Sequence, residues 1–190
     1  SIKWYEESAK YLTTYYGQLS HLKIYPYEKF ELNTQMEVDK KYAENFYKNK
    51  LVATVYLLNE LKKDKYAKHI LRHLANENIE KGSEILAARL ATDISRFDFA
   101  IQIAKIASYQ KRFHNKFNYP IISTPKVISK RKIPDSAFIL AIIRQESEFD
   151  TSAHSSAGAK GLMQIMTYTA RIMAKQAKIP YSKKKLTKDP

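Results

Sequence analysis

Apolar and polar positions alternate along this chain with a helical rhythm almost from end to end. From Ile2 to Leu22, the residues Trp4, Tyr5, Ala9, Tyr11, Leu12, Tyr15, Tyr16 and Leu19 fall on one broad face, which predicts an amphipathic helix. Pro26 and the pair Asn33-Thr34 break the pattern. A repeated unit of helix, short polar break and helix then runs to about Lys111. The predicted helices are Val38–Tyr47, Leu51–Lys62, Tyr66–Glu77, Ser83–Ile94 and Asp98–Gln110. The breaks at Asn49, Lys63-Asp64, Asn76–Asn78 with Gly82, and Ser95 are brief. Short helices with tight connections predict stacked helical pairs, although no strict sequence repeat accompanies them. Between Asn118 and Pro134 the periodicity disappears: Pro120, Pro125 and Pro134 lie among Ser123, Thr124 and Ser129. This stretch divides a helical scaffold from the C-terminal third of the chain.

Beyond the break, the run from Ala137 to Ser147 predicts another helix, and a further one covers Thr169–Lys178. In the first, Ile139, Ile142 and Ile143 sit at i, i+3 and i+4, and the i+7 position of that stripe is Glu146. A carboxylate on an apolar face near a helix C-terminus is disfavoured in its charged form, by burial and by the helix dipole together. Both effects would raise the Glu146 pKa, as a general acid requires. A glutamate that marks the helix end and reaches into water explains the stripe equally well. The loop after it tips the balance. The chain holds only four glycines, and two of them, Gly158 and Gly161, close a small-residue loop that leads into Leu162-Met-Gln. Glycines there let backbone approach a ligand, and Gln164 offers both a donor and an acceptor.

Other candidate features read as structure. His69 and His73 are spaced i, i+4 with Glu77 one turn on, a possible metal face, but no glutamate follows His69 and no further cluster lies nearby. An exposed polar helix face is the better reading. The aromatics Tyr42, Phe46, Tyr47, Tyr56 and Tyr66 could stack on sugars or bases, yet at helical spacing they read as inter-helix packing. Asp150, followed by Thr151, reads as a turn-forming residue, and Glu148 lies just past the expected helix end.

The residues Ile143-Arg-Gln-Glu-Ser147, a polar spacer, then Gly158-Ala-Lys-Gly-Leu-Met-Gln-Ile-Met166 resemble the catalytic signature of the soluble lytic murein transglycosylases. The match runs from Ala137 to Arg171. A softer likeness, Thr13-Thr-Tyr-Tyr-Gly-Gln-Leu-Ser20, is to the superhelical part of the same enzymes. One departure is Thr167, where a proline is common in that family. The resemblance implies a mainly α fold, with a helical superhelix of stacked helix pairs (residues 1–117) followed by the first part of a lysozyme-like catalytic domain (118–190). It implies that Glu146 is the catalytic acid, acting alone on the β-1,4 bond between N-acetylmuramic acid and N-acetylglucosamine to form 1,6-anhydromuramic acid. By motif position, Ser155, Gln164 and Met166 would line the glycan site, Ser147 would brace the catalytic loop, and Met163 would belong to the core. No metal or cofactor is implied, and the partner is the peptidoglycan glycan strand. If Glu148 or Asp150 reached the far side of the sugar, hydrolysis would replace transglycosylation. A Tyr-Asn-Ala-Gly-type segment that closes the groove in the family has no counterpart here. The sequence therefore leads one to expect an incomplete catalytic domain, weakly active or inactive by itself, or a helical binding fragment.

Composition adds boundaries. The chain has 190 residues, 44% hydrophobic, with a mean hydropathy of −0.49. No apolar run approaches the ~18 residues of a membrane span, and no signal segment opens the chain. Absence of cysteine excludes disulfides and thiolate metal sites within it, and is compatible with the periplasmic location that the family implies. The net charge of +14 favours anionic partners, but Ser129-Lys-Arg-Lys132 and Lys183–Lys185 are short and read as solvated loop charge rather than a nucleic-acid motif.

Overall fold

The computed structural model describes residues 2–29, 31–123 and 134–188, which form helices joined by connections that are mostly short, apart from 25–39 and the motif loop 148–166. The basic run Ser129–Lys132 lies outside them. Two compact units divide the chain, Ser1–Gln35 and Met36–Pro190.

In the first unit the single helix expected over Ile2–Leu22 is two, α1 (Ile2–Ala9) and α2 (Tyr15–Ile24), packed on each other. Thr14 causes the division. Its extended backbone starts α2, its hydroxyl oxygen accepts from Gly17 N at 3.0 Å, and its hydroxyl donates to Tyr11 O at 2.9 Å. A threonine that satisfies the free N–H groups of a helix start stabilises a new start over continuation, typically by ~1 kcal/mol. The expected apolar face is correspondingly open, with Trp4 and Tyr16 both about three-quarters exposed.

In the second unit the periodicity reading holds. The helices are α3 (Lys40–Lys48), α4 (Lys50–Glu60), α5 (Asp64–Asn76), α6 (Ser83–Asp93), α7 (Phe97–Tyr109) and the short α8 (Asn115–Asn118). Each packs on its neighbour in sequence, from α3 against α4 to α7 against α8. Asp39 and Asn49 cap α3 and α4 by accepting from backbone N–H groups. The centre is α6, buried along most of its length from Ser83 to Ala91, with Arg89 exposed. Ser83 fixes its start: fully buried, it donates to Ala75 O at 2.6 Å and accepts from Asn78 N at 3.1 Å. Phe46 is buried in this core with Tyr42 against it, whereas Tyr47, Tyr56 and Tyr66 stay exposed. His69 and His73 lie exposed on α5.

Two ionic clusters staple the stack. Arg96 reaches Asp98 through two nitrogens, pairs with Asp64 at 2.7 Å, and lies 3.8 Å over the Phe99 ring. Buried Glu84 accepts from Arg112 (2.8 and 3.0 Å) and sits 3.0 Å from His114. Burial alone would raise the Glu84 carboxyl, but hydrogen bonds from Arg112 and His114 outweigh it and hold the group below its ordinary range.

The chain resumes with α9 (Ser136–Ser147), α10 (Thr167–Ala177) and α11 (Lys185–Lys188). The first of them, α9, sits on α7, which has two working faces. Phe99, Ala100, Ile103 and Ala104 face the main core. Ile101 instead joins Ile143 and Phe149 in a second buried cluster, with Phe97, Ile139, Leu140 and Leu162 packed against it. The last helix of the stack is thus also the floor beneath the segment that carries the motif.

Candidate active site

Asp135 begins α9 by accepting from Ala137 N at 2.7 Å. The buried stripe centres on Ile143, flanked by Ile139 and Leu140, with Ser147 half-buried a turn later. This stripe lies slightly round from the expected one, so Glu146 falls at its edge and is exposed. The predicted burial of Glu146 against Ile142 and Ile143 does not occur. Phe149 enters the apolar cluster instead, 6% exposed, its ring 6.4 Å from that of Phe97. A lone aromatic between Glu148 and Asp150 was the available signal.

To bring Phe149 inward the chain turns sharply after α9. Glu148 and Phe149 both adopt left-handed backbone, with φ of 50° and 66°. For non-glycine residues this costs roughly 1–2 kcal/mol each. Phe149 burial offsets part of that, and Glu148 is held from two sides. Its carboxylate accepts from Lys105 Nζ of α7 at 2.8 Å and lies 3.5 Å from Arg144 Nη1. The bond raises the Lys105 ammonium above its ordinary pKa. Arg144 also donates through Nε to Asn118 O at 2.8 Å, tying α9 to the end of α8. Sequence reasoning missed Lys105, and no local pattern marks it, since its partner lies 43 positions away.

Asp150 is committed to the turn, as expected: its Oδ1 accepts from Ser152 N and Ser152 Oγ at 2.8 and 2.7 Å. Ser147 does not brace the loop through its side chain. Its hydroxyl donates to Ile143 O within α9, and only its carbonyl serves the loop, accepting from Asp150 N at 3.0 Å. Of the three carboxylates in the motif, Glu146 alone has no partner among the described residues.

The loop beyond folds on itself. Lys160 forms isolated antiparallel bridges with His154 and Ile165. Ser155 and Ala159 close a tight turn, with Ser155 N donating to Ala159 O and Ser155 Oγ accepting from Ala159 N, both at 3.0 Å. Gln164 ties the layers together: Nε2 donates to Ala153 O at 3.2 Å and Gly161 O at 2.9 Å. That leaves the Gln164 Oε1 acceptor and the Ser155 hydroxyl proton uncommitted among the described residues. Met166 precedes α10 and is 43% exposed; Met163, expected in the core, is 39% exposed. Thr167 occupies the first position of α10, where a proline is well tolerated but not needed.

The two glycines differ. A Cβ at Gly161 would run into Leu186 O, and its φ is +73°, so this glycine admits the backbone of α11 rather than a ligand. Gly158, at φ +91°, has open space where a Cβ would stand. The expected close approach to a ligand therefore fits Gly158 and not Gly161.

Residues 124–190 match the family model of the Transglycosylase SLT domain. A putative soluble lytic murein transglycosylase from Haemophilus influenzae is 27% identical over 158 residues, 81% of this chain and 26% of its own length. Among solved structures, the 70 kDa soluble lytic transglycosylase Slt70 of Escherichia coli superposes with a TM-score of 0.71 at 22% identity, covering 100% of this chain and 33% of that one. An inactive mutant of the Pseudomonas aeruginosa lytic transglycosylase Slt gives 0.73 at 23%, covering 98% and 30%. The chain thus spans about a quarter of the curated relative and about a third of the solved structures. In motif, in sequence and in fold, the chain is similar to the soluble lytic murein transglycosylases, and Glu146 lies within the stretch that matches their SLT domain.

Proposed function

We propose that this chain carries the catalytic acid of a peptidoglycan lytic transglycosylase. Glu146 Oε–H protonates the glycosidic oxygen between N-acetylmuramic acid and N-acetylglucosamine, and the C1–O bond breaks with oxocarbenium character. The carboxylate so formed takes the proton of the C6 hydroxyl as that oxygen bonds to C1. The product is a 1,6-anhydro sugar, and no water is consumed. One observation carries the reading: Glu146 is exposed and, among the described residues, unpaired, while Glu148 is held by Lys105 and Asp150 by its own turn. A hydrolase needs a second free carboxylate beside the bond, and both candidates are engaged.

Ser155, Gln164 and Met166 would contact the glycan, with Ser147 shaping the loop through its carbonyl. Among the described residues no helix is long and apolar enough to cross a membrane. The substrate places the action in the periplasmic cell envelope, and neither a cofactor nor a nucleic-acid partner enters the reading. We also propose the division into a helical region, 1–117, and a catalytic region, 118–190. The test is digestion of purified sacculi with mass spectrometry. Anhydro-muropeptides are the expected product, and Glu146→Gln should lower their formation by about 10²–10⁴-fold, the range for loss of a general acid. Products one water heavier would replace transglycosylation with hydrolysis.

A further inference from the structure

Beside the motif, α5 and α7 frame an open cleft of about 350 Å³. Lys68 and Arg72 line it from one turn of α5, and Gln102, Lys105 and Tyr109 from one face of α7, together with Glu148. Three cations stand there against one carboxylate. Lys105 already serves Glu148 at 2.8 Å. Lys68 Nζ lies over the Phe99 ring at 5.8 Å, and neither Lys68 nor Arg72 has a carboxylate partner among the described residues. Ile106 and Tyr109 also line the cleft, 43% and 76% exposed.

We infer that this cleft binds the acidic peptide stems borne by the glycan, pairing a stem carboxylate with Arg72 and Lys68. Three features favour such a ligand. Two cations without a carboxylate partner among the described residues attract an anion. The Glu148 carboxylate within the same cleft opposes a uniformly anionic polymer but suits a peptide, which mixes carboxylates with amides and amines. Ile106 and Tyr109 offer surface to aliphatic parts of the stem. The cleft is also near the chemistry: two chain steps separate Glu148 from Glu146, so their Cα atoms are at most about 7.6 Å apart. A stem attached to the sugar at Glu146 can therefore reach it. Arg72 and Lys68 would be positioning residues for substrate, acting remotely from the bond that breaks.

The inference rests on the glycan reading above, and the experiment separates the two. This chain is titrated calorimetrically, at low and moderate salt, with soluble glycan fragments carrying stems, with the same fragments stripped of stems, and with a generic oligonucleotide. Stem-bearing fragments should bind about tenfold tighter than stripped ones, the sum of two partly exposed charge contacts. Arg72→Glu with Lys68→Gln should erase that difference and leave stripped-fragment affinity unchanged, and circular dichroism confirms that the variant is folded. The single exposed change Arg72→Gln, which leaves the Lys68–Phe99 contact intact, should remove about half of the advantage on a logarithmic scale. Equal wild-type affinity for both fragments overturns the stem site alone. Binding of neither fragment overturns the glycan reading with it. Tighter binding of the oligonucleotide, lost in the same variant, assigns the cleft to nucleic acid and overturns the inference.

Discussion

Replacing Ile143 with alanine tests whether the motif segment is moored chiefly by the small second cluster. Ile143 is 6% exposed and packs with Ile101 and Phe149. The substitution removes three carbons, worth about 0.8 kcal/mol each as transferred hydrocarbon. A residual cavity adds to that, since Ile→Ala in cores costs about 2–5 kcal/mol in all. Alanine's better helix propensity returns about half a kcal/mol. The net loss is about 3 kcal/mol, and it should be local. Among the described residues only three are buried in this cluster, whereas the main core retains its own set around α6, and the two meet through different faces of α7. The assay is native-state hydrogen exchange with mass spectrometry. Protection of α9 amides should fall by about 10²-fold, at tenfold per 1.4 kcal/mol, while α6 amides keep theirs. A fall below tenfold in α9 would show that the Arg144 and Lys105 tethers, not the cluster, moor the segment. Equal loss in α6 would show that residues 36–190 open as one body, and would refute the argument from two cores.

Two further outcomes extend these tests. Glu84→Gln should cost about 2–3 kcal/mol at neutral pH, below the full cost of a buried pair because Arg112 is one-third exposed. Glu84 is depressed in the fold, so its contribution is present above the unfolded value of ~4.3 and fades as pH falls through it toward the folded value. The wild-type and variant denaturation midpoints should therefore converge below about pH 4, and a constant gap down to pH 2 would contradict the assignment. Gln164→Ala removes both bonds to Ala153 O and Gly161 O and should speed exchange at Gly161 and Ile165 by about 30-fold, from ~1 kcal/mol net for each bond at tenfold per 1.4 kcal/mol, leaving α6 unchanged. Unaltered exchange there would mean that the bridges around Lys160 suffice.

How much of this was legible depends on the range of each interaction. Helices α3 to α7 lie within a few residues of their expected bounds because periodicity and capping are local properties. The carboxylate motif was legible as a spacing. Exposure of Glu146 was not, because a stripe drawn from 139, 142 and 143 and one centred on 143 differ by less than a helical position. Which of them is buried depends on α7, far away in sequence. The break at Thr14 was not read from the sequence, because the apolar pattern runs on through it on either side. Left-handed Glu148 and Phe149 had no signal at all, since neither residue type prefers that backbone. Gly161 announced a backbone need, yet only the position of Leu186 reveals that the need is for chain and not ligand.

The double role of α7 limits how this chain can change length. Phe97, Ile101 and Lys105 recur every fourth residue toward the motif segment, and Phe99, Ile103 and Ala107 face elsewhere. A single residue inserted after Phe97 turns everything beyond it by about 100°. Ile101 would then swing away from Ile143 and Lys105 from Glu148, while both cores lost register together. Seven inserted residues restore the angle to within about 20° but carry Lys105 roughly 10 Å along the axis, out of reach of Glu148. Point substitutions in α7 can be absorbed one face at a time, but insertions and deletions cannot. Length variation among natural versions of this chain should therefore concentrate in the connections and leave α7 at a constant residue count.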